Sequence, residues 1–412
     1  MTIRWITPLL GTGPAFQIQY EIGMHIIDVR DLVDKAGNST DFVLQKIVEG
    51  SESLRDGKKT VICCDYGISR SNAVAAGILA MHEGIPFESA VRRVVEATGE
   101  RDIKIEPLQV VRSALGEDSR NFQSNRQRVL VTGGDGTLGM PVSQRLTEEF
   151  DVTTLGRGEL DLQLGSTQLD LIVSEKQIGC IVHLANPRIF TSNNALGTTL
   201  TMLRNVLDVC VARNLKLIYI SSFEVYSGYR SGGLVADESL PLLPRGPYGE
   251  TKYLCEKLIE HSRSTQNLNC LMLRSSTVFG VGSDKPRFIY NFIEKINRSQ
   301  RIVSHRYNNS LAALDLLYLD DFVMAVDKAV RSDFKGNLNI GSGVVTSTKK
   351  IAEILKTLLS SKSEIDTIQI DSDTACIAMD ARNAQKVLNW HPKVDIENGL
   401  KLILLNYKLR KN

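Results

Sequence analysis

The stretch Arg128-Val-Leu-Val-Thr-Gly-Gly-Asp-Gly-Thr-Leu-Gly-Met140 constrains this chain more than any other part of it. A short apolar run that reads as a buried strand, Arg128 to Thr132, enters glycines at 133, 136 and 139, and helical periodicity follows over 137–148. Glycine at these points permits a tight turn, close approach of a pyrophosphate to the backbone, and close helix-to-strand packing. Three spaced glycines alone are a weak signal. A strand before them and a helix after them are what the mechanism requires, and both patterns are present. Further strand-like runs lie at 180–184, 217–221 and 268–273, with helical patterns at 195–213 and 247–264 between them. Strands alternating with helices predict an α/β fold, a doubly wound parallel sheet covered on both faces.

The rest of the chain is ordinary enough to exclude several classes. Its 412 residues suggest two or three domains at roughly 150 per domain. Hydrophobic residues make up 42% and charged residues 23%, which excludes wholesale disorder and collagen-like structure. Lys and Arg total 49 against 47 Asp and Glu, so no broad basic face is available to grip nucleic acid. No apolar run reaches the length of a membrane span, so no membrane partner is expected. Residues 1–15 hold one charge and two prolines and lack the layout of a signal peptide. Seven scattered cysteines, none at zinc-site spacing, suit a reducing cytoplasm, and no metal is expected. The polar run 116–127 reads as a linker between a first domain, 1–115, and a second, 128–412.

The first domain has its own signature in Thr60-Val-Ile-Cys-Cys-Asp-Tyr-Gly-Ile-Ser-Arg-Ser71. A strand ends at Cys64, a loop containing Gly67 follows, and a helix opens at Ser71. Such a loop aims successive N–H groups and a helix N-terminus at one spot, which makes an anion site. Arg70 adds a planar fork for phosphate oxygens, and a thiol at the rim of that field becomes a nucleophile. Residues 60–80 resemble the signature of the dual-specificity phosphatases, His-Cys-x-x-Gly-x-x-Arg followed by Ser. The resemblance implies a small phosphatase-like α/β domain with Cys64 as nucleophile, Arg70 as phosphate clamp and Ser71 assisting breakdown of the intermediate. It also implies an upstream general acid, for which Asp28, Asp31 and Asp34 are candidates and Asp31 fits the spacing best. Cys63 stands where the family has His. A domain that binds a phosphorylated ligand without hydrolysing it is the alternative.

In the second domain, Ile218-Tyr-Ile-Ser-Ser-Phe-Glu-Val-Tyr226 closes a strand, and Pro247-Tyr-Gly-Glu-Thr-Lys252 opens a helix. Tyr248 and Lys252, four apart, share one helical face. A tyrosine beside a lysine and a nicotinamide cation is expected to have its pKa lowered toward neutrality, which suits proton exchange during hydride transfer; Ser222 can hold the same oxygen. After the second strand, Gly156 stands where an acidic residue would bind the adenosine ribose, and Arg157 follows. Arg157 could pair with a 2′-phosphate, which favours NADP over NAD.

These features resemble the extended short-chain dehydrogenase/reductases, in particular their nucleotide-sugar epimerases and dehydratases, over residues 128–407. The resemblance includes His183-Leu-Ala-Asn186, Arg274 with Val278-Phe-Gly280, Tyr318-Leu-Asp-Asp321, Asn339-Ile-Gly-Ser-Gly343 and Leu388-Asn-Trp-His-Pro392. It implies a Rossmann-type core with a smaller C-terminal substrate subdomain and hydride transfer at sugar C4. The residues it implies at the dinucleotide are Gly133, Gly136, Thr137, Leu138, Gly139, Arg157, Asp161, Leu184, Ala185, Tyr248 and Lys252. Ser221-Ser-Phe-Glu-Val-Tyr226 looks like the family's Ser-Thr-x-Glu-Val-Tyr, which gives Glu224 the role of base at C5. Phe223 occupies the place of the acid found in many dehydratases, so epimerisation makes fewer demands on this site. The resemblance also implies a homodimer paired through helices. The alternative from another class is a regulatory sensor that binds dinucleotide and phosphate with little turnover.

Overall fold

The alternating periods fold as two units, seen in a computed structural model that describes residues 3–19, 23–117, 125–187, 189, 192–282 and 286–409. Most of the expected linker, 118–124, lies outside the described residues.

The first unit begins with strands β1 (Arg4–Trp5), β2 (Leu10–Pro14) and β3 (Met24–Asp28), then helix α1 (Thr40–Arg55) and strand β4 (Lys59–Cys64). Three helices follow: α2 (Arg70–Glu83), α3 (Phe87–Thr98) and α4 (Ile105–Ala114). The sheet order is β1-β2-β4-β3, with β4 parallel to both neighbours. Helix α2 is buried from Arg70 to Ala80, and its small side chains let α1, α3 and α4 pack around it.

The next elements are β5 (Asn125–Thr132), α5 (Gly139–Leu146), β6 (Asp151–Leu155), α6 (Thr167–Lys176), β7 (Ile178–His183), α7 (Asn193–Ala212) and β8 (Lys216–Ser222). Packing departs here from the expected division at 116–127. Residues 160–179 and 201–215 belong to the first unit, because α6 and the second half of α7 bury their polar and apolar anchors there. Leu171 joins the first unit's core, and Asp170 takes Arg213 at 2.6 and 2.9 Å and Arg112 at 3.3 Å. Burial works against that carboxylate, yet Arg213 and then Arg112 hold it below its ordinary pKa. Helix α7 is long and apolar enough to cross a membrane by composition, but half of that window is buried as a crossover between β7 and β8.

Beyond β8 the chain forms β9 (Leu234–Ala236), α8 (Gly246–Gln266), β10 (Asn269–Ser275), β11 (Thr277–Phe279), α9 (Arg287–Asn297), β12 (Ile302–Arg306) and β13 (Ala313–Tyr318). It ends with α10 (Leu319–Arg331), β14 (Gly336–Ile340), β15 (Val345–Ser347), α11 (Thr348–Leu358), β16 (Ile365–Gln369), β17 (Ile377–Met379), α12 (Arg382–Leu388) and α13 (Ile396–Leu409). The main sheet of the second unit has six strands in the order β14-β10-β8-β7-β5-β6. The chain leaves β5 to one side for β6, then returns past it to β7, which places the topological switch point between β5 and β7. A second core, with Phe279, Ile293, Ile351 and Leu400, lies under the small sheet β11-β13-β15 and its helices. Trp390, 2% exposed, donates to the Asp321 carbonyl at 2.9 Å, which ties Leu388-Asn-Trp-His-Pro392 to Tyr318-Leu-Asp-Asp321.

Candidate active site

At the switch point the turn after β5 lies directly on the residues after β7. Gly133 has φ +69°, and a Cβ there would stand 2.8 Å from both N and Cα of Ala185. The Leu184 N–H bonds the Thr132 carbonyl at 3.2 Å, so the two strand ends run side by side. Helix α5 opens at Gly139, where a Cβ would meet the Gly133 carbonyl oxygen at 2.1 Å. Only glycine lets turn, helix start and neighbouring strand end come this close, and the result is a rim of bare backbone at a helix N-terminus. Such a rim fits a dinucleotide pyrophosphate. Thr137 and Leu138 lie in this loop, so Gly133, Gly136, Thr137, Leu138, Gly139, Leu184 and Ala185 are brought together. Arg157 is exposed beyond β6. Asp161 falls in the first unit, where it accepts the Gln163 N–H at 3.0 Å and caps the short turn Leu162–Leu164.

Two strands along the sheet from β5, β8 ends at Ser222 and a 3-10 turn, Phe223–Tyr226, follows. Helix α8 starts on that turn: a Cβ on Gly249 would stand 2.7 Å from the Glu224 carbonyl oxygen. Ser222, Glu224 and Tyr248 are thereby gathered. Ser222 hydrogen-bonds the Tyr248 phenol, and its Oγ accepts the Glu224 N–H at 3.2 Å. One turn along α8, the Lys252 ammonium lies 5.8 Å from the Tyr248 ring centroid. It donates to the Ile220 carbonyl at 2.8 Å and to the Tyr219 hydroxyl at 3.3 Å.

The expected lowering of the Tyr248 pKa counted Lys252 and a nicotinamide cation together; the protein's own groups act in the other direction. Burial pushes the Tyr248 phenol well above its ordinary pKa, the Glu224 charge adds to the rise, and the Ser222 hydrogen bond opposes it. Lys252, expected to lower it, directs two of its N–H groups at β8, and burial lowers its own pKa. Burial likewise raises the Glu224 carboxyl, against a smaller pull from Ser227. Tyr248 therefore rests as a neutral donor.

Around Lys252, Tyr219, Cys255 and Glu256 escaped sequence reading, whereas His183 and Arg274 stood among the residues of the resemblance without a partner assigned. Tyr219 lies on β8 with its ring 4.9 Å beneath the ammonium, and its hydroxyl also bonds Cys255. The His183 ring stacks on Tyr219 with centroids 6.0 Å apart, and its Nδ1 meets Thr132 Oγ1 at 2.8 Å. Behind this row, Glu256 takes Arg274 at 2.8 Å and Ser221 at 2.5 Å, and Arg274 donates to the Tyr226 hydroxyl at 2.7 Å. The available signal was period two on β8: Tyr219 and Ser221 share a face, and that face meets α8.

In the first unit, Cys64 ends the central parallel strand with its thiol in the loop. Its Sγ accepts the Gly67 N–H at 3.2 Å, and the S–H donates to Ser71 Oγ at 3.3 Å. Gly67 has φ +70°, and a Cβ there would meet the Gly13 carbonyl carbon at 2.5 Å, so the loop is pressed against the end of β2. Arg70 is 8% exposed, and its guanidinium is spent on the protein. It pairs with Asp65, stands 3.4 Å from Asp34, and donates to the carbonyls of Leu32 at 2.8 Å and Arg30 at 3.2 Å. Asp31, the favoured acid, lies 3.7 Å from Lys46, and of the three upstream candidates Asp34 is the one near Arg70. Cys63, in the place of the expected His, is pushed up to about 11 by burial and then by the Asp28 charge.

Residues 129–341 match the NAD dependent epimerase/dehydratase family. The chain is 26% identical over 306 residues to a putative UDP-glucose 4-epimerase of Methanocaldococcus jannaschii, spanning 67% of this chain and 97% of that protein. It is 26% identical over 322 residues to UDP-glucuronic acid decarboxylase 6 of Arabidopsis thaliana, spanning 71% and 92%. Among solved structures, the UDP-glucose 4-epimerase of Thermus thermophilus in complex with NAD superposes with a TM-score of 0.60 at 20% identity. That alignment covers 68% of this chain and 99% of the other, a likeness of fold.

Proposed function

Because the chain belongs to the NAD dependent epimerase/dehydratase family, we propose that its second unit moves a hydride at C4 of a nucleotide-linked sugar, using NAD or NADP. The observation that carries this reading is the meeting of Ser222, Tyr248 and Lys252 beside the switch-point glycines. A bound dinucleotide supplies the hydride acceptor and donor. Tyr248 takes the proton of the C4 hydroxyl during oxidation and returns it to the ketone oxygen during reduction, while Ser222 holds that oxygen. Tyr248 is a neutral phenol in the protein alone, and the positive charge of Lys252 together with that of a bound oxidised dinucleotide would bring it to the phenolate this step needs. Glu224, half-buried with a raised pKa, is suited to exchange a proton at C5 once the C4 ketone has acidified it.

Incubating the full chain with UDP-linked hexoses and hexuronic acids in deuterated water, followed by NMR, tests this. Inversion at C4 without deuterium at C5 identifies an epimerase and removes Glu224 as a base; deuterium at C5 supports that role. Tyr248→Phe should lower turnover by about 100-fold or more while nucleotide binding persists. Turnover retained in that variant would refute the assignment.

A second reading concerns the first unit. The loop that directs Gly67 N–H and Ser71 at the Cys64 thiol favours an anion site for a phosphorylated ligand. Phosphatase action through Cys64, Arg70 and an upstream Asp is its catalytic form. The engagement of Arg70 by Asp65 and Asp34 favours the other form, a phosphate-sensing module with little turnover. A rapid-quench assay of the full chain with an aryl phosphate separates them: a Cys64-dependent burst means hydrolysis, and saturable binding without a burst means sensing. The full chain is needed because α6 and part of α7 belong to the unit.

A further inference from the structure

The end of β6 lacks the acidic side chain that a βαβ dinucleotide site ordinarily places there to accept hydrogen bonds from the adenosine ribose. Residue 156 is glycine. The fold brings a carboxylate to the same place from another direction. The glycine turn is anchored on β6 itself: Gly133 N–H bonds the Leu155 carbonyl at 2.9 Å, and a Cβ on Gly134 would meet Thr154 Cγ2 at 2.0 Å. The next residue, Asp135, is thereby carried across the end of β6. A Cβ on Gly156 would stand 2.7 Å from its Oδ2 and 3.2 Å from its Oδ1, so the carboxylate lies on the bare glycine. Asp135 is exposed, and among the described residues no hydrogen bond or ion pair holds its carboxylate. From the other side, Glu159 Oε2 accepts the Gly156 N–H at 2.9 Å, which puts a second negative charge beside the same residue. Arg157, the residue that favours a 2′-phosphate in the sequence, is exposed, and the Asp135 carboxylate stands between the glycine turn and the end of β6.

We propose that Asp135, reaching over Gly156 from the glycine turn, is the specificity-determining residue for the dinucleotide and makes this unit take NAD(H) over NADP(H). A carboxylate with open lone pairs accepts from a ribose diol, whose hydroxyls are donors. A 2′-phosphate is acceptor-only and anionic, and the Asp135 carboxylate at that spot repels it. The geometry also accounts for glycine at 156, since a side chain there would displace the carboxylate. The proposal rests on the reading of the glycine turn as a dinucleotide site.

The test is binding, independent of turnover: titration of the full chain with NADH and with NADPH, followed by nicotinamide fluorescence. NADH should bind at least about tenfold tighter than NADPH. Asp135→Asn, nearly isosteric and on the surface, should weaken NADH and strengthen NADPH, moving their ratio by about tenfold or more. Glu159→Gln should move it the same way by less. NADPH binding as tightly as NADH in the unaltered chain, or a ratio unmoved by Asp135→Asn, overturns the proposal while leaving the dinucleotide site intact. Binding of neither nucleotide overturns it at its premise.

Discussion

The ammonium of Lys252 sits 4.9 Å above the ring centroid of Tyr219 and 3.3 Å from its hydroxyl. Both groups are buried, so the ring and the hydroxyl, together with the Ile220 carbonyl, decide where that charge stands. Phenylalanine at 219 keeps the ring under the cation and loses the acceptor. Tyr219→Phe should lower kcat by about tenfold with KM nearly unchanged, an effect on the scale of one charge-assisted hydrogen bond. The alkaline limb of the kcat profile should move to lower pH, because a lysine deprived of an acceptor gives up its proton sooner. Steady-state kinetics across the neutral and alkaline range check this, and an unmoved limb would reduce Tyr219 to packing.

Arg274 and Glu256 form a buried pair, with side chains 3% and 0% exposed, and Ser221 and Tyr226 complete it. Removing one partner strands a charge in the interior. Arg274→Met should cost about 3–5 kcal/mol, read as a lower urea midpoint. The double variant Arg274→Met with Glu256→Leu should recover much of that loss.

His183 bears on stability in acid. Burial, and then the Lys252 charge, hold it down at about 3 from an ordinary 6.5. Between those values the unfolded chain binds a proton that the folded chain refuses, so this term is lost progressively as pH falls from 6.5 toward 3. His183→Gln should flatten that part of the curve, measured as the difference in urea midpoints between neutral and acidic buffer. An unchanged slope would mean that the ring is solvated in solution.

In the first unit, Asp65 occupies the Arg70 fork that a phosphate would use. Asp65→Asn removes the competing charge and should tighten binding of inorganic phosphate several-fold, measured calorimetrically on the full chain. Unchanged affinity would show that Arg70 braces the loop at Leu32 and Arg30 and does not bind the anion.

The glycines at 133, 136 and 139, the Ser222 strand end and the Tyr248/Lys252 spacing were legible because each depends on local geometry: a turn, a strand end, a helical face. The helix expected to open at Ser71 and the helical pattern at 247–264 appear as Arg70–Glu83 and Gly246–Gln266 for the same reason. Other features were not legible. Tyr219 and Asp135 act through partners on other elements, and nothing in their own neighbourhood of sequence marks them. Asp31 was preferred by spacing, but spacing along a loop does not fix direction, and of the three upstream candidates it is Asp34 that stands near Arg70, at 3.4 Å, while Asp31 faces Lys46. The expected drop in the Tyr248 pKa counted charges and left out desolvation, which acts only once the residue is enclosed.

By itself, then, the amino-acid order determined which segments are strands and helices, where glycines leave the backbone bare, and which hydroxyls and amines share a face. These follow from periodicity and from glycine's missing side chain, both properties of neighbours in the chain. Only tertiary structure decided which unit α6 and the end of α7 serve, which carboxylate lies over Gly156, and what Lys252 and Arg70 hold. Charges and hydrogen bonds choose partners by distance in space, and the packing of the elements sets those distances.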